Sequence, residues 1–427
     1  MILFNLREAG TTIRTEVLAG FTTWLAMVYI VAVNPSILAT TGMDQGALFV
    51  ATCLSAGIAS IAMGLYANYP LALAPGMGLN AYFAFVVVGG LHIPWRVALG
   101  AVFLSGVLFL IVSLLRLREW LINAIPLSLK LGIGAGIGFL LALIGLEHMG
   151  VVAASPATFV TLGTLGHPKT LLACAGFLLM VALAARGISA AVLIGILATA
   201  AAGIPFSLTT FNGVVSLPPS LAPTLLQMDI QGALSLGVVS IVLTFFLIDI
   251  LDNAGTLIAV SHRAGLMRPD GTVPRLKQVL TADSGGAILG SALGTSTVVG
   301  YIESAAGIQA GGRTGLTAVV TGVLFLATLF FAPLALSLPD FATAPALVFV
   351  ACLLARALRD LNWDDLTDYL PAVLTALAMP FTFSIAAGIG LGFIVHAVVK
   401  TLAGRWREVS GAVWLIAAAS AVKFAIQ

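Results

Sequence analysis

The chain has 427 residues, of which 60% are hydrophobic and only 8% charged, and its mean hydropathy is +1.11. Soluble domains carry roughly 25% charged residues, so this composition cannot build a water-facing surface, and no nucleic-acid partner is expected. The formal net charge of +2 says little; the positions of the charges say more.

The first sixteen residues, Met1 to Glu16, are polar and charged, with Arg7, Glu8, Arg14 and Glu16. The next apolar run continues to Ile37 without a small-residue cleavage site, so no cleavable signal peptide is expected. Apolar runs then follow at 17–40, 46–66, 71–91, 96–115, 127–147, 168–185, 188–204, 232–260, 278–293, 296–311, 314–334, 342–358, 366–382 and 385–402. Most approach the roughly 20 residues that span a bilayer as a helix. Hydrocarbon requires each backbone group to be satisfied internally, and the roughly 10-residue alternating segments of a membrane barrel are absent. The sequence therefore predicts an all-α polytopic membrane protein with about fourteen transmembrane segments. A last apolar run, Val409 to Ile426, fits either a further span or an interfacial helix.

Loop charge orients this ladder. Loops on one side hold Arg116, Arg118 and Lys130, then Arg186, then Arg263, Arg268, Arg275 and Lys277, then Arg313, Arg356 and Arg359, and finally Lys400, Arg405 and Arg407. The opposite loops hold Arg96 and Lys169, and the segment from Ile204 to Gln231 has neither Lys nor Arg. By the positive-inside rule the N-terminus is cytoplasmic. Seven spans precede the long loop and seven follow, so a repeat must be inverted. The expected division is a first seven-span repeat at 1–204, an extracytoplasmic connection at 205–231, a second repeat at 232–404 and a C-terminal apolar segment at 405–427.

The third span of each half is interrupted, by Ala74-Pro75-Gly76-Met77-Gly78-Leu79-Asn80 and by Gly294-Thr295-Ser296-Thr297-Val298-Val299-Gly300. Paired interruptions in matching positions point to a transporter binding site, where freed backbone groups and half-helix ends face a solute. Gly76, Gly78, Thr295 and Gly300 are the backbone candidates. Most of the 17 acidic residues fall in predicted loops. Asp249 and Asp252 instead lie in the middle of the eighth run, three apart and so on one helical face. Glu303 follows the second interruption. A charge at a span centre costs about 2.5–3.5 kcal/mol on insertion scales, and no Lys or Arg lies in either stretch to pair with these acids. Carboxylates able to take or lose a proton suit proton coupling, and they also accept N–H groups from a neutral solute.

Asn80, after the first interruption, offers a donor and an acceptor together; helix capping is its ordinary alternative. Tyr301 neighbours Glu303 and can stack on a flat ring, as Trp24, Tyr82 and Phe85 also can, although aromatics in such helices more often pack. Asp364, Asp365 and Asp368, near Arg356 and Arg359, read as a solvated face, and Cys53, Cys174 and Cys352 as isolated buried thiols. The histidines show no metal spacing. No phosphate-binding loop, nucleophile elbow or zinc motif occurs, so neither a cofactor nor an enzyme activity is expected.

The stretch from Asn68 to Ala81, the segment Asp249-Ile-Leu-Asp252-Asn-Ala-Gly-Thr and the run from Gly294 through Glu303 to Gly315 resemble the AzgA-like branch of the nucleobase permeases, related to the xanthine/uracil permeases. The resemblance covers essentially the whole chain, beginning at Arg7-Glu-Ala-Gly-Thr-Thr. It implies core and gate domains, short antiparallel strands in spans three and ten, proton symport of adenine, guanine or hypoxanthine by an elevator-type movement, and a homodimer. It places base-binding acids at Asp252 and Glu303, with Tyr301 beside the substrate; Asp249 fits the AzgA-like pattern. A histidine frequent one turn after the span-eight acid is Thr256 here.

The expectation is thus a proton-coupled purine importer of a bacterial inner membrane, with Asp252, Glu303, Asn80 and Tyr301 binding substrate and Asp252, Glu303 and Asp249 handling protons. Rivals are a xanthine or uracil permease, an anion transporter of the same architecture, an intramembrane enzyme and a non-transporting receptor. Carboxylates at the half-helix ends argue against an anion carrier.

Overall fold

The structure, a computed structural model, describes residues 4–114, 125–156, 158–263 and 274–426. Within these, the side chains of 236–237, 250–255, 258–263, 423 and 426 lie outside the description. Among the described residues eight helices are long and apolar enough to cross a bilayer, and four shorter apolar helices accompany them.

The chain folds as two compact units. The first combines the described residues up to 114 with 164–346. It opens with helix α1 (Ile13–Met27), whose N-terminus is capped by the Thr12 hydroxyl on the Thr15 N–H. The predicted first run is not one helix. It is interrupted at Val28–Tyr29 and resumes as α2 (Ile30–Ala39). Over the interruption the amides of Val31 and Ala32 bond three residues back, to Val28 and Tyr29. Pro35 lies inside α2, where its ring denies an amide and crowds the carbonyl of the preceding turn.

Next come α3 (Gln45–Ala62), strand β1 (Leu73–Pro75), half-helix α4 (Met77–Ala81, continued as a wider π turn to Gly90) and α5 (Trp95–Leu114). After the second unit's first segment, described below, the unit adds α7 (Pro168–Ala185) and α8 (Ala191–Gly203). Its later part holds α9 (Leu236–Arg263), α10 (Leu276–Leu293), β4 (Val298–Gly300), half-helix α11 (Ser304–Gln309) and α12 (Gly315–Thr328), and α13 (Asp340–Ala355) follows in the chain. The early and late parts exchange partners. Helix α1 packs on α12 and α9 on α5, while α3 packs on α12 and α10 on α5. Close approach fixes one of these seams: a Cβ on Gly315 would lie 2.0 Å from the Gly64 carbonyl oxygen. Small residues let membrane helices meet at backbone distance.

Glu16 corrects the loop assignment of the acids. It sits in α1, fully buried, and its carboxylate caps the start of α12. Oε1 accepts the Arg313 N–H at 2.9 Å, while Oε2 accepts the N–H groups of Thr314 and Thr317 and the Thr317 hydroxyl at 2.6 Å. Four donors saturate one carboxylate at a helix N-terminus, where orphan amides need such a partner. Asp283 is a second correction: it is buried in α10, beside a small cleft lined also by Leu71, Leu257, Val279, Leu280 and Gly300.

The second unit combines the described residues between 125 and 163 with 347–426. Helix α6 (Leu127–His148) leads to an antiparallel hairpin of β2 (Val152–Ser155) and β3 (Phe159–Leu162). Helix α14 (Leu366–Thr382) packs on α6 and on α15 (Ile385–Leu402), and α15 packs on α16 (Gly411–Ile426). The apolar C-terminal run is therefore a 16-residue helix.

Here the predicted solvated face is corrected in part: Asp364 is exposed, but Asp365 and Asp368 are engaged in ion pairs. Asp368 and Glu408 each lie 2.9 Å from the buried Lys400 ammonium, and Asp365 lies 2.6 Å from Arg405, which also bonds Glu408 at 2.7 Å. The acids reach across to α15 and the turn after it because Lys400, in the last turn of α15, extends toward the aqueous end of its helix. Hydrogen bonds from Thr367 and Arg405 hold the Asp365 carboxyl well below the usual range, and those from Arg405 and Lys400 bring Glu408 down to about 2. Cys53 is buried as expected, but Cys352 is exposed and Cys174 half-buried.

Candidate functional site

The two interrupted spans meet in the first unit as a two-stranded antiparallel ribbon. Leu73 pairs with Gly300, Ala74 with Val299 and Pro75 with Val298. The pairing extends one step each way, from the Gly76 N–H to the Thr297 carbonyl at 2.9 Å and from the Tyr301 N–H to the Ala72 carbonyl at 3.0 Å. Strands this short leave ends to satisfy, and serines do so. Ser60 both accepts from the Leu73 N–H and donates to the Leu73 carbonyl, and Ser304 accepts from the Ala72 N–H. Gly76 lies close against β4. A Cβ on Gly76 would stand 2.8 Å from a Val299 methyl.

Each strand runs straight into a half-helix, β1 into α4 and β4 into α11, and neither half-helix has a side-chain cap. Glu303 is the N-cap residue of α11, half-buried, with a carboxylate rather than a neutral group at that end. Tyr29, fully buried at the interruption of the first span, donates its hydroxyl to Glu303 Oε1 at 2.8 Å. The Tyr301 hydroxyl donates elsewhere, to the Pro75 carbonyl at 2.6 Å. It thereby ties α11's entry to β1.

Asn80 is fully buried in α4, and its Oδ1 accepts the Ser296 hydroxyl. Its amide nitrogen has no hydrogen-bond partner among the described residues. Beside the start of β4, Asn34 of α2 donates to Thr52 at 2.7 Å and to the Thr295 hydroxyl at 2.9 Å. Asp249 is fully buried in α9. On the same helix the Phe245 ring meets Tyr82 edge-on at 4.9 Å between centroids.

The predicted site residues thus have different fates. Glu303, Tyr301, Asn80, Gly76, Thr295 and Gly300 come together at the ribbon and its two half-helices. Gly78 lies within α4. Asp252 is in α9, three residues beyond Asp249, and its side chain lies outside the described residues. Trp24 does not present a free stacking face: its ring NH donates to Thr328 on α12 and its indole packs on Phe21. Tyr29, Asn34 and Ser296 were missed. The signal for the first two was Asn34-Pro35 in the middle of the first apolar run, a polar residue beside a helix breaker. Among the described residues no three His, Cys, Asp or Glu side chains gather as a metal ion would need.

Comparison with known proteins gives a concordant result. A family model described as "Permease family", of the xanthine/uracil type, matches residues 14–391. The adenine permease AdeQ of Escherichia coli is 48% identical over 421 residues, covering 99% of this chain and 95% of that protein. The guanine/hypoxanthine permease PbuG of Bacillus subtilis is 43% identical over 418 residues, covering 95% of each. Among solved structures, the transmembrane domain of the cyanobacterial bicarbonate transporter BicA superposes with a TM-score of 0.64 at 15% identity, over 89% of this chain and 97% of that one. At that identity the likeness shows a shared fold, that of a polytopic membrane transporter.

Proposed function

This chain belongs to the xanthine/uracil permease family, and we propose that it imports a purine nucleobase together with protons across the cytoplasmic (inner) membrane. The observation that carries the reading is Glu303: a half-buried carboxylate at the junction of β4 and α11, hydrogen-bonded by a single neutral side chain and by no cation among the described residues. A purine is planar and neutral, with N–H donors on its edge. Glu303 and Asp252 supply acceptors for that edge, the Asn80 amide supplies N–H donors to a ring nitrogen or carbonyl, and Tyr301 flanks the ring. The same two carboxylates, with Asp249, take and release the coupling proton.

A full-length kinship of 48% to an adenine permease and 43% to a guanine/hypoxanthine permease supports a purine over a pyrimidine. Division of the chain into two compact units is what an elevator-type movement requires. The concentration of Lys and Arg in alternate loops supports a cytoplasmic N-terminus, and cross-linking in native membranes tests the homodimer. An anion carrier of the same fold is the second reading. A negative group at the N-cap of α11 opposes it, since that end would otherwise attract the anion.

The deciding experiment is uptake of radiolabelled adenine, guanine, hypoxanthine, xanthine and uracil into cells lacking their own permeases, with and without a protonophore. Saturable purine uptake that the protonophore, Glu303→Gln and Asp252→Asn each abolish is the expected result. Well-expressed protein that moves no base overturns the reading.

A further inference from the structure

We infer that Tyr29 and Glu303 act as one unit, a donor–acceptor switch that converts a proton on the glutamate into a hydrogen-bond donor aimed at the base. The inference rests on the purine-import reading and adds to it a residue and a role. Tyr301, two residues before Glu303, spends its hydroxyl on the Pro75 carbonyl, a partner that never titrates. Tyr29 spends its own on Glu303 Oε1 at 2.8 Å. That distance fits a hydroxyl donating to a carboxylate oxygen. An ionised carboxylate can only accept, so with Glu303 charged the Tyr29 proton is tied down.

When a proton binds Oε1 the roles invert. A new O–H bond forms on the glutamic acid and points to Tyr29 Oη, no bond in the tyrosine breaks, and the phenolic hydrogen is released to rotate toward another acceptor. The pair thus offers acceptors alone when ionised, and a donor beside an acceptor when protonated. A purine edge carries that complement, because a donor and an acceptor stand side by side: the ring N9–H beside the imine nitrogen N3, or, in adenine, the six-amino group beside the imine nitrogen N7. Protonation and base recognition become the same event at one pair of side chains.

The position of Tyr29 supports a built device. The phenol is buried to 1% exposure, so its hydroxyl has no bulk water to turn to. It stands at the interruption between α1 and α2, where the helix is opened by tight three-residue bonds at Val31 and Ala32. The site therefore rests on three interrupted spans, the first as well as the third and tenth. Tyr29 is a positioning residue for Glu303 in the ionised state and contacts the base in the protonated one.

The test uses purified full-length protein. In infrared difference spectra of the unliganded protein taken across a pH titration, the carboxyl C=O band assigned by its disappearance in Glu303→Gln should move in Tyr29→Phe. An unmoved band overturns the switch whatever the protein transports. Calorimetry of adenine or hypoxanthine binding, in two buffers of different ionisation enthalpy, should show linked proton uptake in the wild type. In Tyr29→Phe that linkage should be lost and affinity reduced about tenfold or more. Unchanged affinity and linkage overturn the inference. Placing a 3-fluorotyrosine at position 29 keeps the ring and hydroxyl should the phenylalanine variant fail to fold; its more acidic phenol should shift the same band, and no shift is again a negative result. A wild type that binds no base defeats the purine reading, while the infrared band still decides the pair.

Discussion

Two glutamates in the same unit of this chain differ in how many fixed donors hold their carboxylates. Glu16 is fully buried and accepts four hydrogen bonds from the start of α12. Its charge is spread over amides that would otherwise be orphaned, and removing it leaves several donors without partners. Glu303 stands at the end of a half-helix with one side-chain donor, the Tyr29 hydroxyl. Its lone pairs are not all committed, and a solute or a proton can claim them. The number of fixed donors, rather than burial, separates the two.

That contrast can be broken. Glu303→Gln should reduce purine uptake by about a hundredfold or more while the Tm of the detergent-purified protein stays within a few degrees, because the amide still accepts from Tyr29. A large loss of Tm would make Glu303 structural. Glu16→Ala should do the reverse. It should cost about 3 kcal/mol or more of stability, seen as a fall in Tm and in folded yield, with transport per folded molecule largely preserved. Inactive but stable protein would erase the distinction.

Asn80→Ala should raise the KM for uptake several-fold with little change in Vmax, since it removes a donor to bound base; an unchanged KM would limit Asn80 to holding Ser296.

The smallest effect is expected in the second unit. The folded-state pKa values of Asp365 and Glu408 are depressed, so their ion pairs stabilise fully above the ordinary carboxylate range. That contribution is lost as pH falls from about 4.5 toward about 2 for Glu408. Lys400→Met should therefore lower Tm by a few degrees at pH 7 and by less at pH 3. A difference independent of pH would show that packing, and not charge, ties these elements.

The hydropathy ladder and the paired Gly-rich interruptions were legible because hydrocarbon and backbone satisfaction leave strong marks on composition. That Glu303, Tyr301 and Asn80 lie beside the ribbon was legible because they flank those interruptions. The partner of Glu303 was not. Tyr29 precedes it by 274 residues, and an aromatic residue in an apolar run looks the same whether or not its hydroxyl has work. Glu16 was misjudged for a related reason: at the edge of an apolar run, an acid in solvent and an acid capping a distant helix have the same sequence context. The clasp around Lys400 escaped because Asp365 and Asp368 had nearer cations in sequence, Arg356 and Arg359, than the ones they bond in space.

The ribbon at the site carries a consequence for biosynthesis. Its register joins Leu73 to Gly300 and Pro75 to Val298, so each of its rungs links a segment made early to one made more than two hundred residues later. Until the later strand is synthesised, the backbone groups of Leu73–Pro75 have no strand to pair with in a medium that supplies no water in its place. Half a chain holds no half-strength site, and contacts this distant in sequence form late. More than two thirds of the chain must be synthesised before the ribbon can form.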